Sequence, residues 1–138
     1  MPERINLEVI TPERKVIEVE VDSVEVPGLG GELGILPGHA ALISQLKPAG
    51  LLTYHIGEEK GELAISDGFV EISDDRVIVL ADRAARPEDI NLTEALKLKD
   101  IAERQFIKAL ADPDLDITRA TIELERASIV LHLAEKDN

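Results

Sequence analysis

Along residues 1–86 or so, apolar and polar residues alternate with a period of two, which places one face of each segment in a core and the other in water. Ile5, Leu7 and Val9 alternate with Asn6 and Glu8, and Ile17, Val19 and Val21 with Glu18, Glu20 and Asp22. The spacing recurs in Val24 and Val26, in Leu52, Tyr54 and Ile56, and in Leu63 and Ile65. Phe69-Val70-Glu71-Ile72 and Val77-Ile78-Val79-Leu80 are denser, as expected of strands covered on both faces. Turn signals separate the runs: Thr11-Pro12, Pro27-Gly28, Pro37-Gly38, Pro48-Ala49-Gly50, Gly57, Asp67-Gly68 and Ser73-Asp74-Asp75. Many short strands with no intervening helix predict a flattened all-β sandwich or barrel over 1–86.

The period changes after Pro87. Glycine disappears, and Ala, Leu, Glu, Lys and Arg, all good helix formers, dominate 87–138. A first helix is predicted from Asn91, a capping residue with Glu94 three positions on, to just before Asp112-Pro113. A second runs from about Asp116 to about Ala134, and the short connection between them forces an antiparallel hairpin. The predicted class is α+β: an N-terminal sandwich followed by a C-terminal two-helix hairpin.

Alanines fall at seven-residue spacing in both helices: Ala95, Ala102 and Ala109, then Ala120, Ala127 and Ala134. A seam of alanine lets two backbones approach closely, although alanine is also simply a favoured helix residue. Leu92, Leu96, Phe106 and Leu110 flank the first seam, and Ile117, Leu124 and Leu131 the second. A further stripe of Ile122, Ile129 and Leu133 is expected to rest on the β domain or on another chain. Lys97, Arg104 and Lys108 around Ile101 form a basic strip that reads first as a solvated face.

Composition narrows the function. With 15 Lys+Arg against 28 Asp+Glu the net charge is −13, and no basic tract reverses the sign, which argues against nucleic-acid binding. There is no cysteine, so disulfides, thiolate metal sites and thiol catalysis are excluded. Residues 1–7 carry no apolar signal core and no run approaches a bilayer span, so a soluble cytoplasmic-type chain is expected. His39, His55 and His132 have no metal-ligand spacing among them. Gly28-Leu29-Gly30-Gly31-Glu32-Leu33-Gly34 lacks the third glycine of a dinucleotide fingerprint and has no following helix. No P-loop occurs. These residues describe a non-catalytic interaction protein with no resident cofactor or metal.

Gly31-Glu32-Leu33-Gly34-Ile35-Leu36-Pro37-Gly38-His39-Ala40 is long and idiosyncratic, and it resembles the signature of the epsilon-subunit family of bacterial F-type ATP synthases. Val9 to Pro12, Leu63 to Ile72, Val79 to Asp82 and Glu88 to Ile90 extend the resemblance over essentially the whole length. It implies a sandwich seated on the central stalk and a hairpin that regulates ATP hydrolysis by unfolding upward along gamma toward the alpha/beta catalytic head. On that reading Glu32, Leu33 and Gly34 face the c-subunit ring, while Pro37, Gly38 and His39 face gamma. The location implied is the cytoplasmic face of a bacterial inner membrane, peripheral to it, with protons assumed as the coupling ion. The rival reading is a free-standing sandwich module with a helical tail that binds a small ligand or peptide.

The chain departs from the pattern of members that hold ATP on the hairpin, an Ile/Leu-Asp-x-x-Arg-Ala motif. Ile90-Asn91-Leu92-Thr93-Glu94-Ala95 stands there instead, with Asn for Asp and Glu for Arg. On the second helix Arg126 matches one basic position, a possible weak nucleotide contact, but Val130 occupies the next. Ala41 and Asp67 are minor departures.

Overall fold

The computed structural model describes residues 4–137. Eight strands precede the helices: β1 Ile5–Ile10, β2 Lys15–Val21, β3 Ser23–Gly28, β4 Gly31–Ile35, β5 Leu42–Gln45, β6 Gly50–Ile56, β7 Glu59–Ser73 and β8 Arg76–Ala85. They pair in the order β2-β1-β8-β7-β6-β3-β4, with β5 also on β7. Among the described residues, only β1 and β8 pair in parallel. The fold is α+β, as the change of period predicts.

The long strand β7 makes the sandwich. Its first part, through Ile65, pairs with β6, and its last part, from Phe69, pairs with β5, while β8 follows it along most of its length. One layer is therefore β2-β1-β8-β7-β5 and the other β4-β3-β6-β7. Leu7, Val9, Val70 and Val79 from the first and Val24, Leu52, Leu63 and Ile65 from the second meet in one core. Each row of that core continues from strand to strand: Val19 opposes Leu7, which opposes Val77, which opposes Ile72.

Three sequence expectations need correction. Asp67-Gly68 is not a break between strands but a kink inside β7, where both residues take positive φ (55° and 122°) and turn the strand from one layer into the other. Pro27-Gly28 is not a turn either but the end of β3. Leu29-Gly30 is a two-residue turn, and Gly31 to Ile35 continue as β4 against β3. Nor are Phe69-Ile72 and Val77-Leu80 covered on both faces, since Phe69 and Leu80 oppose each other on the outer surface, 53% and 49% exposed. β5 is too short to have announced itself.

A single 3-10 turn at Pro87–Asp89 leads into the helices, α1 Leu92–Ala111 and α2 Ile117–Asp137. Arg14 and Arg86 both bind the Asp89 carboxylate, clamping this exit to β2's approach. The Arg86 hydrogen bond, aided by Arg14, holds that carboxyl below its ordinary value. Asn91 Oδ1 caps α1 by accepting from the Glu94 amide at 3.0 Å, and Asp116 Oδ1 caps α2 by accepting from the Arg119 amide at 3.0 Å.

The only side chains that α1 buries are Ala95, Ala102 and Ala109; on α2, Ala134 is buried while Ala120 and Ala127 are half-buried. The helix α1 lies on α2, and α2 lies on β7, β6 and the 3-10 turn. Leu131, Leu133 and Ala134 are buried, with Ile122 and Ile129 half-buried. Leu96 and Leu110, placed beside the seam by the sequence, stand largely in solvent. Of the basic strip, Arg104 pairs with Asp100 at 2.8 Å, and Lys97 and Lys108 are exposed. Because Ala102 sits where helix meets helix, Ala102→Leu should overpack the seam at a cost of roughly 1–3 kcal/mol. Raised amide exchange along α2 is the expected readout; unchanged exchange would reduce the alanines to helix propensity.

Candidate functional site

The outer face of the β2-β1-β8-β7-β5 layer is one of two places where the chain leaves apolar surface open, the other being the outer side of α1. Register assigns its rows: Gln45, Phe69, Leu80 and Ile10 run side by side, and next to them Ile43, Glu71, Ile78 and Glu8. Ile43 is 70% exposed, which with Phe69 and Leu80 makes a contiguous apolar patch on neighbouring strands. Exposed apolar groups clustered in this way mark an interaction surface, whereas scattered ones do not. The patch ends at a charged cluster. Glu8 is buried on this outer face, hydrogen-bonded by Arg76 at 3.0 Å and approached by Lys15 at 3.5 Å. The Arg76 hydrogen bond, helped by Lys15 and opposed by burial, holds the Glu8 carboxyl below its ordinary value.

Sequence reasoning missed this face, although its signal was present. Two dense apolar runs in neighbouring strands either lie between two layers or expose one side, and the pattern alone does not say which.

The residues singled out beforehand fall on two edges of the sandwich. Glu32, Leu33 and Gly34 lie in β4, whose outer edge is unpaired, with Glu32 and Gly34 exposed and Leu33 half-buried. Pro37, Gly38 and His39 form the β4–β5 loop. The Gly38 amide donates to Asp75 Oδ1 at 2.6 Å, the His39 amide donates to the Leu36 carbonyl, and the ring Nδ1 lies 2.7 Å from the Ala40 oxygen. Asp75 belongs to the β7–β8 turn, so the loop is pinned to the end of the layer that carries the apolar patch. The structure thus brings Pro37, Gly38 and His39 beside that layer and leaves Glu32, Leu33 and Gly34 on another edge.

Between the hairpin and the β7–β8 ladder runs a cleft of about 390 Å3, walled by small residues such as Ala64, Ala84, Ala95, Ala102 and Ala127. Arg126 lies at its floor and is 15% exposed. Its Nε donates to Ser66 Oγ at 3.0 Å, and its two terminal nitrogens reach Glu123 at 2.6 Å, the Pro48 carbonyl at 3.2 Å and Asp67 at 3.5 Å. At the far end of α2, Lys136 binds Glu62 at 2.6 Å. Burial pushes the Glu62 carboxyl up, but Lys136 and Lys60 outweigh it and hold it below its ordinary value.

An open apolar face, a pinned loop, an unpaired strand edge and a helix pair seated on the sheet through one helix define a docking protein, one that works by surface complementarity. The family model described as ATP synthase, Delta/Epsilon chain, beta-sandwich domain matches residues 4–87. An ATP synthase epsilon chain of Moorella thermoacetica is 45% identical over 124 residues, covering 89% of this chain and 90% of that one. One from Dehalococcoides mccartyi is 41% identical over 133 residues, covering 96% and 94%. A chain in the cryo-EM structure of the Euglena gracilis mitochondrial ATP synthase, OSCP/F1/c-ring, superposes with a TM-score of 0.77 at 25% identity, covering 98% of this chain and 83% of that one.

The chain belongs to the ATP synthase epsilon-chain family. It is a non-catalytic subunit of the F-type ATP synthase complex.

Proposed function

We propose that the outer face of the β2-β1-β8-β7-β5 layer seats this subunit on gamma. The observation that carries the proposal is the contiguous exposed patch of Ile43, Phe69 and Leu80, bordered by the pinned Pro37-Gly38-His39 loop. A surface of this kind stays wet in the isolated chain and is worth burying in an assembly. The β4 edge with Glu32, Leu33 and Gly34 then meets the c-subunit ring, so that ring rotation passes through the sandwich to gamma and on to the catalytic head. Residues 1–86 form the coupling unit and 87–138 the regulatory one, whose helices extend toward the alpha/beta head and hinder ATP hydrolysis. The exposed apolar side chains of α1, among them Leu96, Leu98, Ile107 and Leu110, support a helix that has a second resting place. The subunit would sit at the cytoplasmic face of a bacterial inner membrane, held there by the complex, with protons as the coupling ion. Relatives that match this chain over nine-tenths of its length displace the free-standing binding module.

Reconstitution tests this reading. Epsilon-depleted synthase supplied with the full chain should regain association and show inhibited ATP hydrolysis, and residues 1–86 alone should associate without inhibiting. Failure of the full chain to associate would contradict the proposal.

The hairpin should hold MgATP weakly or not at all. Each guanidinium nitrogen of Arg126 already has a partner, and Glu94 stands in the first turn of α1 where the ATP-holding pattern has arginine. Unit charges at close range in a partly wet site interact by roughly 4 kcal/mol, so Glu94 exchanges an attraction for a repulsion. Calorimetric titration of the isolated subunit is expected to show no micromolar binding, and micromolar affinity would contradict this.

A further inference from the structure

We propose that Arg126 is a latch that holds the helical hairpin on the sandwich, and that its engagement sets how often the hairpin lets go. The inference deepens the regulatory reading of the hairpin and rests on it for its biological meaning, but the latch itself is a property of the isolated chain.

The receptor for the latch is a single spot. Ser66 and Asp67 stand at the kink, and Ser66 Oγ and the Asp67 carboxylate both reach Arg126. The Lys47-Pro48 segment is tied to the same kink, with the Leu46 amide donating to the Gly68 carbonyl at 2.8 Å and the Asp67 amide to the Lys47 carbonyl at 3.0 Å. Arg126 thus meets three acceptors, Ser66 Oγ, the Pro48 carbonyl and Asp67 Oδ2, that belong to the β domain and converge where β7 bends. Glu123, one turn earlier on α2, orients the guanidinium from behind. Planar geometry and a fork of donors suit arginine to this task, and lysine would satisfy one acceptor at a time.

The rest of the junction is built to separate. The helix α1 packs on α2 and contributes little to the strands, and the 390 Å3 cleft beneath the pair leaves the small side chains of α1 and β8 without dense mutual packing. Arg126 and Lys136 tie α2 to the β domain by ion pairs and side-chain hydrogen bonds. Lys136 is half exposed, so its pair with Glu62 is the weaker tether. A mostly buried guanidinium with three partners is the stronger, and removing it leaves Ser66 Oγ and the Pro48 carbonyl without their donor.

Hydrogen exchange on the full-length chain tests the latch. Arg126→Ala is expected to raise exchange of α2 amides between residues 122 and 133 by about tenfold or more, as loss of a charged multiple hydrogen bond implies, with the β amides unchanged. Arg126→Lys should fall between the variant and the parent, and Ser66→Ala, which keeps the arginine and removes one acceptor, should raise α2 exchange by about threefold. A rise in Arg126→Ala of less than about threefold overturns the latch, as does a parallel rise in the β amides, which would mean general destabilisation. If Arg126→Ala fails to fold, the Ser66→Ala and Arg126→Lys results decide alone, and unchanged α2 exchange in both overturns it. Hydrolysis by reconstituted synthase is read separately: a released hairpin without any change in inhibition would leave the latch standing and remove the regulatory role.

Discussion

Gly68→Ala should lower the stability of the β domain by about 4 kcal/mol or more, enough to leave much of the chain unfolded at ambient temperature. The backbone at Gly68 has φ +122°, which L side chains rarely adopt, and holding a non-glycine residue in such a region costs roughly 1–3 kcal/mol by itself. The added Cβ would also fall far inside van der Waals contact distance of the Leu80 carbonyl oxygen and lie 2.9 Å from Ala81 Cα, both backbone atoms of the neighbouring strand. Neither can swing aside without breaking the β7–β8 ladder. Gly34→Ala is the control, because a Cβ there meets nothing within 4 Å and the φ is not positive. It should stay within roughly 1 kcal/mol of the parent. Urea midpoints measure both, and equal midpoints would show that the kink at Gly68 is not what joins the two layers.

The second large effect is on assembly and leaves the fold alone. Phe69 and Leu80 face each other across β7 and β8 at the centre of the open patch, the position where interfaces concentrate their binding energy. The double variant Phe69→Ala with Leu80→Ala removes two anchors worth about 2 kcal/mol each in a well-packed interface, so affinity for gamma should fall by about a thousandfold. In the free subunit both side chains are about half in water, and the loss there is confined to one cross-strand pair, roughly 0.2–1 kcal/mol. A large loss of affinity with a small loss of stability is the signature of a docking surface. A melting temperature that falls while affinity holds would instead assign the pair to the fold.

Much of the architecture was legible because its causes are local. Period-two alternation in Ile5 to Val9 or Leu52 to Ile56 needs only a strand with one wet face, and the Asn91 and Asp116 caps are written in adjacent residues. What stayed hidden depends on distant partners. Asp67-Gly68 has the composition of a turn, and only the pairing of β7 with β6 on one side of it and β5 on the other shows that it bends a single strand. The density of Phe69-Ile72 and Val77-Leu80 is the same whether a second layer or a second protein covers the outer face. Arg126 reads as one basic residue on a helix, yet its acceptors come from residues some sixty and eighty positions earlier, brought together by the kink. The candidate loop and edge residues were found from a motif, and their placement follows from anchors such as Asp75 that the motif does not contain.

Calorimetric titration of the chain into the gamma subunit of the same synthase, beside the Phe69→Ala, Leu80→Ala double variant, tests the account most directly. The account predicts saturable one-to-one binding by the parent chain and its loss in a variant that unfolds at nearly the parent's urea midpoint. Equal binding by the two chains would contradict it.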